Sequence, residues 1–391
     1  MKIYHQLGHN HLWAFDAYEK HNIGDGFIFT AYSFKYGTIG EKLHGISPAK
    51  YLTRSMIDLQ YYGKKDSIGG QLATYPFNPV NIEDKSGTRV GAIESIVNGV
   101  EYQIELGLKN IIVPIFYYEA SDQEKIINLV NKINKSMKTY KKKYGNNRFF
   151  LTLPLSNDLV KDPTAVENIL EVLTDMNICF DGYYIVCDYS PGYKMKTSID
   201  YDYYKNLSKI FSVLNQQDFK SIYGYANWDA LIFTAMSNID YVTIGTYENL
   251  RRFNIKRFLE SPSGGPSKGW YFSEKLLNFI RAEDLTLLRS RDCLDLIAND
   301  KNIFSDIILD PKYIWSSHKP DVHKNYLLSI SRLLSTLAKE DSFEIRKESL
   351  LKRVQTARKL YSEIENDFKV YLDNESSNYH LGTWATFLKS T

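Results

Sequence analysis

Eight short runs of β-branched and aromatic residues punctuate the first 246 residues, and longer stretches with helical spacing separate them. The runs fall at 3–8, 26–33, 68–75, 110–117, 148–155, 182–188, 221–225 and 241–246. The helical stretches fall at 11–20, 47–62, 91–106, 122–144, 163–177, 201–215 and 228–237. In the fourth of these, Ile126, Ile127, Val130 and Ile133 share one face. Ser47 before Pro48 and Asp162 before Pro163 are helix-start pairs, a capping side chain followed by a ring that already holds the helical φ. Strands that alternate with helices pair in parallel, because a parallel neighbour needs a crossover long enough to return to the same edge. Eight such units favour a closed (β/α)8 barrel over an open doubly wound sheet.

The rhythm stops after Glu248. A turn-rich loop at 260–269 is followed by two stretches, 270–280 and 284–297, that read as helical. A loop then carries Pro311, Trp315, His318, Pro320 and His323, and the last third is helical. There Leu350, Val354, Ala357, Tyr361, Ile364 and Phe368 step by alternating fours and threes, the spacing of a seam that packs on its own barrel or on a second chain. The expected fold is therefore α/β, a TIM barrel over 1–260 with a helical C-terminal region over 261–391.

Composition narrows the function classes. Lys and Arg number 48 against 46 Asp and Glu, a net charge of +2, which excludes a polycationic or strongly acidic chain. A hydrophobic share of 43% supports a large core and excludes global disorder. Tyr (30) outnumbers Phe (20), giving apolar area that keeps a polar tip. Cys179, Cys187 and Cys293 form no CxxC pair and no disulfide framework, which fits a reducing compartment. The opening MKIYHQLGHNHLW lacks a signal peptide's apolar centre. The longest apolar run, near 111–118, falls short of the roughly 20 residues a bilayer requires. These features predict a cytoplasmic protein without membrane contact. The basic run at 138–145 ends a helix, where lysines suit the dipole.

A (β/α)8 barrel places its chemistry at the C-terminal ends of its strands. The first strand ends at His9, Asn10 and His11, and the third carries Gln71 and Tyr75. The fourth ends at Tyr117, Tyr118 and Glu119, the fifth at Ser156, Asn157 and Asp158, and the sixth at Asp188, Tyr189 and Ser190. Asn227 and Asp229 follow the seventh; Thr246, Tyr247, Glu248 and Asn249 end the eighth, with Arg251 and Arg252 beyond. His9 and His11 could begin a metal site, but no later strand ends in His, so no metal is expected and the pair reads as a ligand-contacting rim. GxxxxGK[ST], GxGxxG and a serine elbow are missing, so no nucleotide cofactor is expected. Glu119, Asp188 and Glu248, on strands four, six and eight, could converge over one mouth, and paired carboxylates there suit acid, base or nucleophilic work at a sugar carbon.

Three stretches in order carry a family resemblance. DSIGGQ (66–71) resembles the DSGGFQ motif of tRNA-guanine transglycosylases, FDGYYIVCD (180–188) is similar to their FDGYAIGGL, and 222–253 is similar to their stretch through the last two barrel units. The resemblance spans about residues 20–255 and implies a TIM barrel that exchanges a guanine base in nucleic acid, an aspartate attacking the ribose C1′ as the base leaves. It implies that Asp66 and Gln71 match the motif's Asp and Gln, and that Glu119 or Tyr118 reads the base. It departs at three points. The family's nucleophile position holds Thr243, with Asp240 matching an earlier aspartate; the glycine floor under the base is Val186 and Cys187; and the zinc-binding cysteines have no counterpart.

Three readings follow. In the first, the chain performs glycosyl transfer on a nucleoside or nucleic acid, tRNA or DNA. Asp188 or Asp66 is then the nucleophile, Glu119 an acid or base reader and Gln71 a positioner, while Tyr75, Tyr118 and Tyr189 stack on the base. Asn227, Glu248, Asn249, His9 and His11 complete the substrate contacts. In the second, the barrel only binds: Arg251, Arg252, Lys256 and Arg257 hold phosphates, or the C-terminal helices hold a partner protein or a second copy. In the third, Glu119 and Glu248 form a glycoside hydrolase pair.

Overall fold

The computed structural model describes residues 1–44, 51–63, 69–81, 91–117, 119, 121, 123–189, 191–192, 194–259, 269–316 and 318–390. Eight parallel strands form one sheet: β1 (Lys2–Leu7), β2 (Gly26–Thr30), β3 (Ser55–Asp58), β4 (Asn110–Val113), β5 (Arg148–Ser156), β6 (Gly182–Asp188), β7 (Lys220–Tyr223) and β8 (Tyr241–Gly245). Their order is β3-β2-β1-β8-β7-β6-β5-β4. The two end strands, β3 and β4, pack against each other, so the barrel is nearly closed. The first strand bridges the last: Lys2 pairs with Tyr241 and Gln6 with Gly245. β5 shows why these segments are strands, since every residue after Arg148 is buried, as a parallel strand covered on both faces requires.

Between the strands lie α1 (His11–His21), α2 (Thr38–His44), α3 (Gly91–Glu105), α4 (Gln123–Lys143), α5 (Asn157–Lys161), α6 (Pro163–Leu173), α7 (Tyr201–Gln216) and α8 (Ala230–Met236). Asp162 caps α6, accepting from the N–H groups of Thr164 and Ala165, and Pro163 occupies the first turn. Asp200 caps α7 in the same way. The expected start of a helix at Ser47 lies outside the described residues.

Two expectations are corrected. The third strand is Ser55–Asp58, inside the stretch read as a helix, while 72–74, read as strand, forms a 3-10 turn. Four residues are too few to impose period-two spacing on a window in which flanking tyrosines and leucines mimic a helix. The stretch 270–280 is a β-hairpin, β9 (Trp270–Ser273) and β10 (Asn278–Arg281), with Phe279 opposite Phe272. Its turn contains neither Gly nor Pro; Leu277 takes the left-handed conformation itself (φ 51°), so no breaker marks the reversal.

After β8 come α9 (Lys256–Leu259), the hairpin, α10 (Ala282–Ser290), α11 (Ile303–Leu309), α12 (Pro320–Ala338), α13 (Phe343–Asn366) and α14 (Leu381–Ser390). The seam residues Leu350, Val354, Ala357, Tyr361 and Ile364 are buried on α13, which packs on α8 and α14 of its own chain. One hydrophobic cluster runs from Ile3 to Leu388. Where the strands begin, Lys2, Arg148, Lys220, Arg346 and Asp240 line an open depression of about 440 Å³. The C-terminal ends of α8 and α12 border it, where helix dipoles favour cations. Among the described residues, no helix is long and apolar enough to cross a membrane.

Candidate active site at the barrel mouth

β3 ends on Asp58, and four donors fill its carboxylate. Oδ1 accepts from the Gln60 N–H and the Tyr62 hydroxyl, both at 3.0 Å; Oδ2 accepts from the hydroxyls of Tyr184 and Tyr225, both at 3.1 Å. Tyr184 comes from β6 and Tyr225 from just past β7, so the group ties distant strands together. Gln6 of β1 donates to the Tyr184 hydroxyl at 3.3 Å, and the Gln60 side chain donates to that of Tyr225 while accepting from the Tyr32 N–H at 2.6 Å. Gln60 and Tyr225 hold φ of 54° and 52°, a conformation costing side-chain-bearing residues roughly 1 kcal/mol or more, which the surrounding bonds must sustain. Gly224 leaves room for the Tyr184 ring, which a Cβ there would meet at 2.4 Å.

Asp58 is 1% exposed, and among the described residues no Lys or Arg forms an ion pair with it. Burial pushes its carboxyl up to about 6, against the opposing pull of its four hydrogen bonds. It is mostly ionised at neutral pH and within reach of protonation.

Asp188, at the end of β6, is half-buried. Burial raises its carboxyl to about 6; Glu119 adds to the rise, while the Ile255 N–H, Arg252 and Lys256 oppose it. The Tyr117 hydroxyl is raised by burial and then by Asp188 and Glu119, which places the three groups in one field. Above them, Phe253 lies 4.8 Å from the Tyr62 ring, 5.6 Å from Tyr225 and 6.2 Å from Tyr117. Phe258 packs on Tyr62 at 5.3 Å and Tyr32 at 5.9 Å. A third carboxyl, Asp229, is fully buried beyond β7, accepting from the Tyr223 hydroxyl at 3.2 Å and the Asn227 N–H at 3.3 Å; burial raises it to about 7.

The residues singled out from the sequence divide accordingly. Asp66 and Tyr118 lie outside the described residues. Asp188 is at the mouth, with Glu119 exposed nearby. Tyr189 is buried, its hydroxyl donating to the Lys196 carbonyl, and the Asn227 side chain donates to the same oxygen. Glu248 receives Lys196 Nζ at 3.0 Å; burial raises its carboxyl, but Lys196 and then Arg251 and Arg252 outweigh that and hold it below the usual range. Gln71 is exposed, and Tyr75 is buried with its hydroxyl on the Phe34 carbonyl at 2.8 Å, so neither side chain joins the Asp58 group. His9 is exposed, and the His11 ring packs on Phe15 and Phe34. Among the described residues, no three His, Cys, Asp or Glu side chains gather to hold a metal.

Arg251 is buried between the rings of Phe279 (4.5 Å) and Tyr326 (4.6 Å), joining barrel to C-terminal helices. Arg257 lies over Tyr32 and donates to the Asn249 carbonyl, while Lys256 is exposed. Thr243 is fully buried and accepts from the Ala226 N–H at 3.2 Å. Asp240 lies at the opposite end of the barrel, bonded to the Ser221 N–H and paired with Lys220.

The sequence reading missed Asp58, Gln60, Tyr62, Tyr184, Tyr225 and Gln6. Strand parity would have found Tyr184, which is four residues before Asp188 on β6 and hence on the same face.

No family model matches the chain, and no curated protein matches it. Among solved structures, the chain is similar to an N-acetylneuraminate lyase from Fusobacterium nucleatum at 14% identity and a TM-score of 0.35, over 100% of this chain and 98% of that one. The barrel itself is read from its own strand order; the transglycosylase resemblance rests on sequence motifs alone.

Proposed function

We propose that the chain is an enzyme of glycosyl transfer acting on the glycosidic bond of a nucleoside or nucleic acid. The observation that carries this reading is the pair of carboxyls at the strand ends, Asp58 and Asp188, each raised to about 6 and neither in an ion pair among the described residues. Asp188, the more open, is the nucleophile. Its carboxylate oxygen bonds to the sugar C1′ as the C1′–N bond breaks, the electron pair leaves with the base, and an incoming base or water displaces the aspartate. Asp58, at the end of β3, and its tyrosines orient the departing base. The glycosidase pairing of Glu119 with Glu248 gains no support, since Glu248 is tied to Lys196.

The test is incorporation of labelled guanine and deazaguanine into mixed tRNA and DNA by the full chain. Incorporation that disappears in Asp188→Asn and Asp58→Asn proteins of unchanged fold supports the reading. A folded wild-type chain that binds the pool without incorporation refutes it and leaves a binding barrel. Turnover of an activated aryl glycoside alone would point to hydrolysis instead.

A further inference from the structure

The segment that follows β8 has an unusual set of attachments. Among the described residues, three hydrogen bonds of 252–259 are internal, Arg257 N–H to the Asn254 carbonyl, Phe258 N–H to the Ile255 carbonyl and Lys256 N–H to Asn254 Oδ1, and the Arg257 side chain reaches back to the Asn249 carbonyl just before the segment. Among the described residues, one hydrogen bond ties 252–259 to the barrel strands, from the Ile255 N–H to Asp188 Oδ2, and it is long at 3.4 Å. The remaining attachments are ring contacts. Phe253 sits among Tyr62, Tyr117 and Tyr225, Phe258 sits on Tyr62 and Tyr32, Arg257 lies over Tyr32, and Arg252 faces the Tyr189 ring. The Arg252 Nε is buried with no hydrogen-bond partner among the described residues, a cost that departure from the barrel would relieve.

This arrangement covers both carboxyls. Phe253 roofs the tyrosines that surround Asp58, and the Ile255 N–H occupies an oxygen of Asp188. We propose that residues 252–259 are an autoinhibitory plug, seated in the barrel mouth by two phenylalanines and displaced as a unit when substrate enters. The proposal rests on the reading of the mouth as the substrate site. The three bonds within 252–259 travel with the segment, so among the described residues opening breaks the long bond to Asp188 and the one from Arg257 to the Asn249 carbonyl, and it exposes two phenylalanine rings and Ile255. A planar ring entering between Tyr62, Tyr117 and Tyr225 would replace the contacts that Phe253 gives up.

Nitration of tyrosines by tetranitromethane, mapped by peptide mass spectrometry on the full chain, tests the plug without any assumption about substrate. Tyr62 and Tyr225 lie beneath it; Tyr183 and Tyr203 are as deeply buried but away from it. The expected result is that the first pair reacts faster than the second in the wild type. In Phe253→Ala, that pair should gain about tenfold or more while the second is unchanged, because the closed state loses its main anchor. Phe253→Leu, which keeps apolar volume, should fall between. Equal rates for both pairs in the wild type and in either variant would overturn the plug, whatever the reaction proves to be. Guanine binding by calorimetry then separates the two ideas. Selective nitration with tighter guanine binding in Phe253→Ala supports both. Selective nitration with no guanine binding in either protein keeps the plug and removes the base-exchange reading.

Discussion

Replacing Asp58 with Asn separates the cost of the buried charge from its use. Above pH about 6 the wild-type carboxyl is ionised in folded and unfolded chains alike, and burial has raised its folded value from 3.8 to about 6. That rise is worth about 3 kcal/mol against the folded state once both forms are ionised. Below pH about 4 the group is protonated in both states and the penalty is absent; it grows as pH rises through the interval and is complete above it. Asparagine stays neutral throughout. Its carbonyl can accept from the Gln60 N–H and the Tyr62 hydroxyl, and its amide can donate to the hydroxyl oxygens of Tyr184 and Tyr225, which rotate from donor to acceptor. Asp188 and Asp229 are common to both proteins and cancel in the comparison. Urea unfolding at several pH values should therefore give similar stabilities near pH 4, with the variant ahead by about 2–3 kcal/mol near pH 8. On the proposed function, the same variant should also lose base incorporation. A stability difference that does not change with pH, or a variant that falls further behind as pH rises, would refute the account of Asp58.

Other substitutions probe the supports. Gly224→Ala drives a Cβ to 2.4 Å from the Tyr184 ring; it should cost about 1–3 kcal/mol by overpacking and weaken the Tyr184–Asp58 bond, read as a lower urea midpoint with unchanged slope. Arg251→Met keeps the alkyl length but removes the cation between Phe279 and Tyr326, and should cost about 1–2 kcal/mol, read by thermal unfolding. Asp188→Asn should leave the melting temperature near that of the wild type at pH about 6 while abolishing incorporation, since the residue is half-open and makes one long hydrogen bond among the described residues.

Much of the barrel was legible because parallel strands buried on both faces write themselves as uninterrupted apolar runs. The segments around β5 and β6 announce themselves, and the Asp162–Pro163 start of α6 needs no tertiary information. β3 was not legible for the opposite reason. Its Ser, Met, Ile and Asp carry almost no strand signature, and pairing with β2, where Thr30 lies opposite Asp58, is what makes them a strand. The site was lost with it. Asp58 and Gln60 fall inside the stretch whose spacing reads as helical, and Asp66, to which the motif resemblance points, lies outside the described residues. The C-terminal hairpin was hidden because Leu277 makes a turn that glycine usually makes. The α13 seam was legible as a seam, but period alone cannot say whether its partner belongs to the same chain.

Asp58, Asp188 and Asp229 share a circumstance that sequence could not show. Among the described residues none of the three is held in an ion pair: Asp58 and Asp229 accept from hydroxyl and N–H groups, and Asp188 accepts one long N–H bond. An arginine partner would lower a carboxyl's affinity for protons and neutralise its field, which suits a structural acid. Glu248 has such a partner in Lys196 and is held low. Hydroxyl donors do less: they meet the lone pairs and leave proton affinity close to neutrality, so the group can change its protonation state. A core needing only to be filled would be served by leucine at those positions, without the charge penalty that burial imposes on Asp58. Retaining an acid at Asp58, beside Gln60 and Tyr225 in strained conformations and beneath a segment that one weak hydrogen bond ties to the strands among the described residues, is the physical argument behind the proposal of a catalytic mouth.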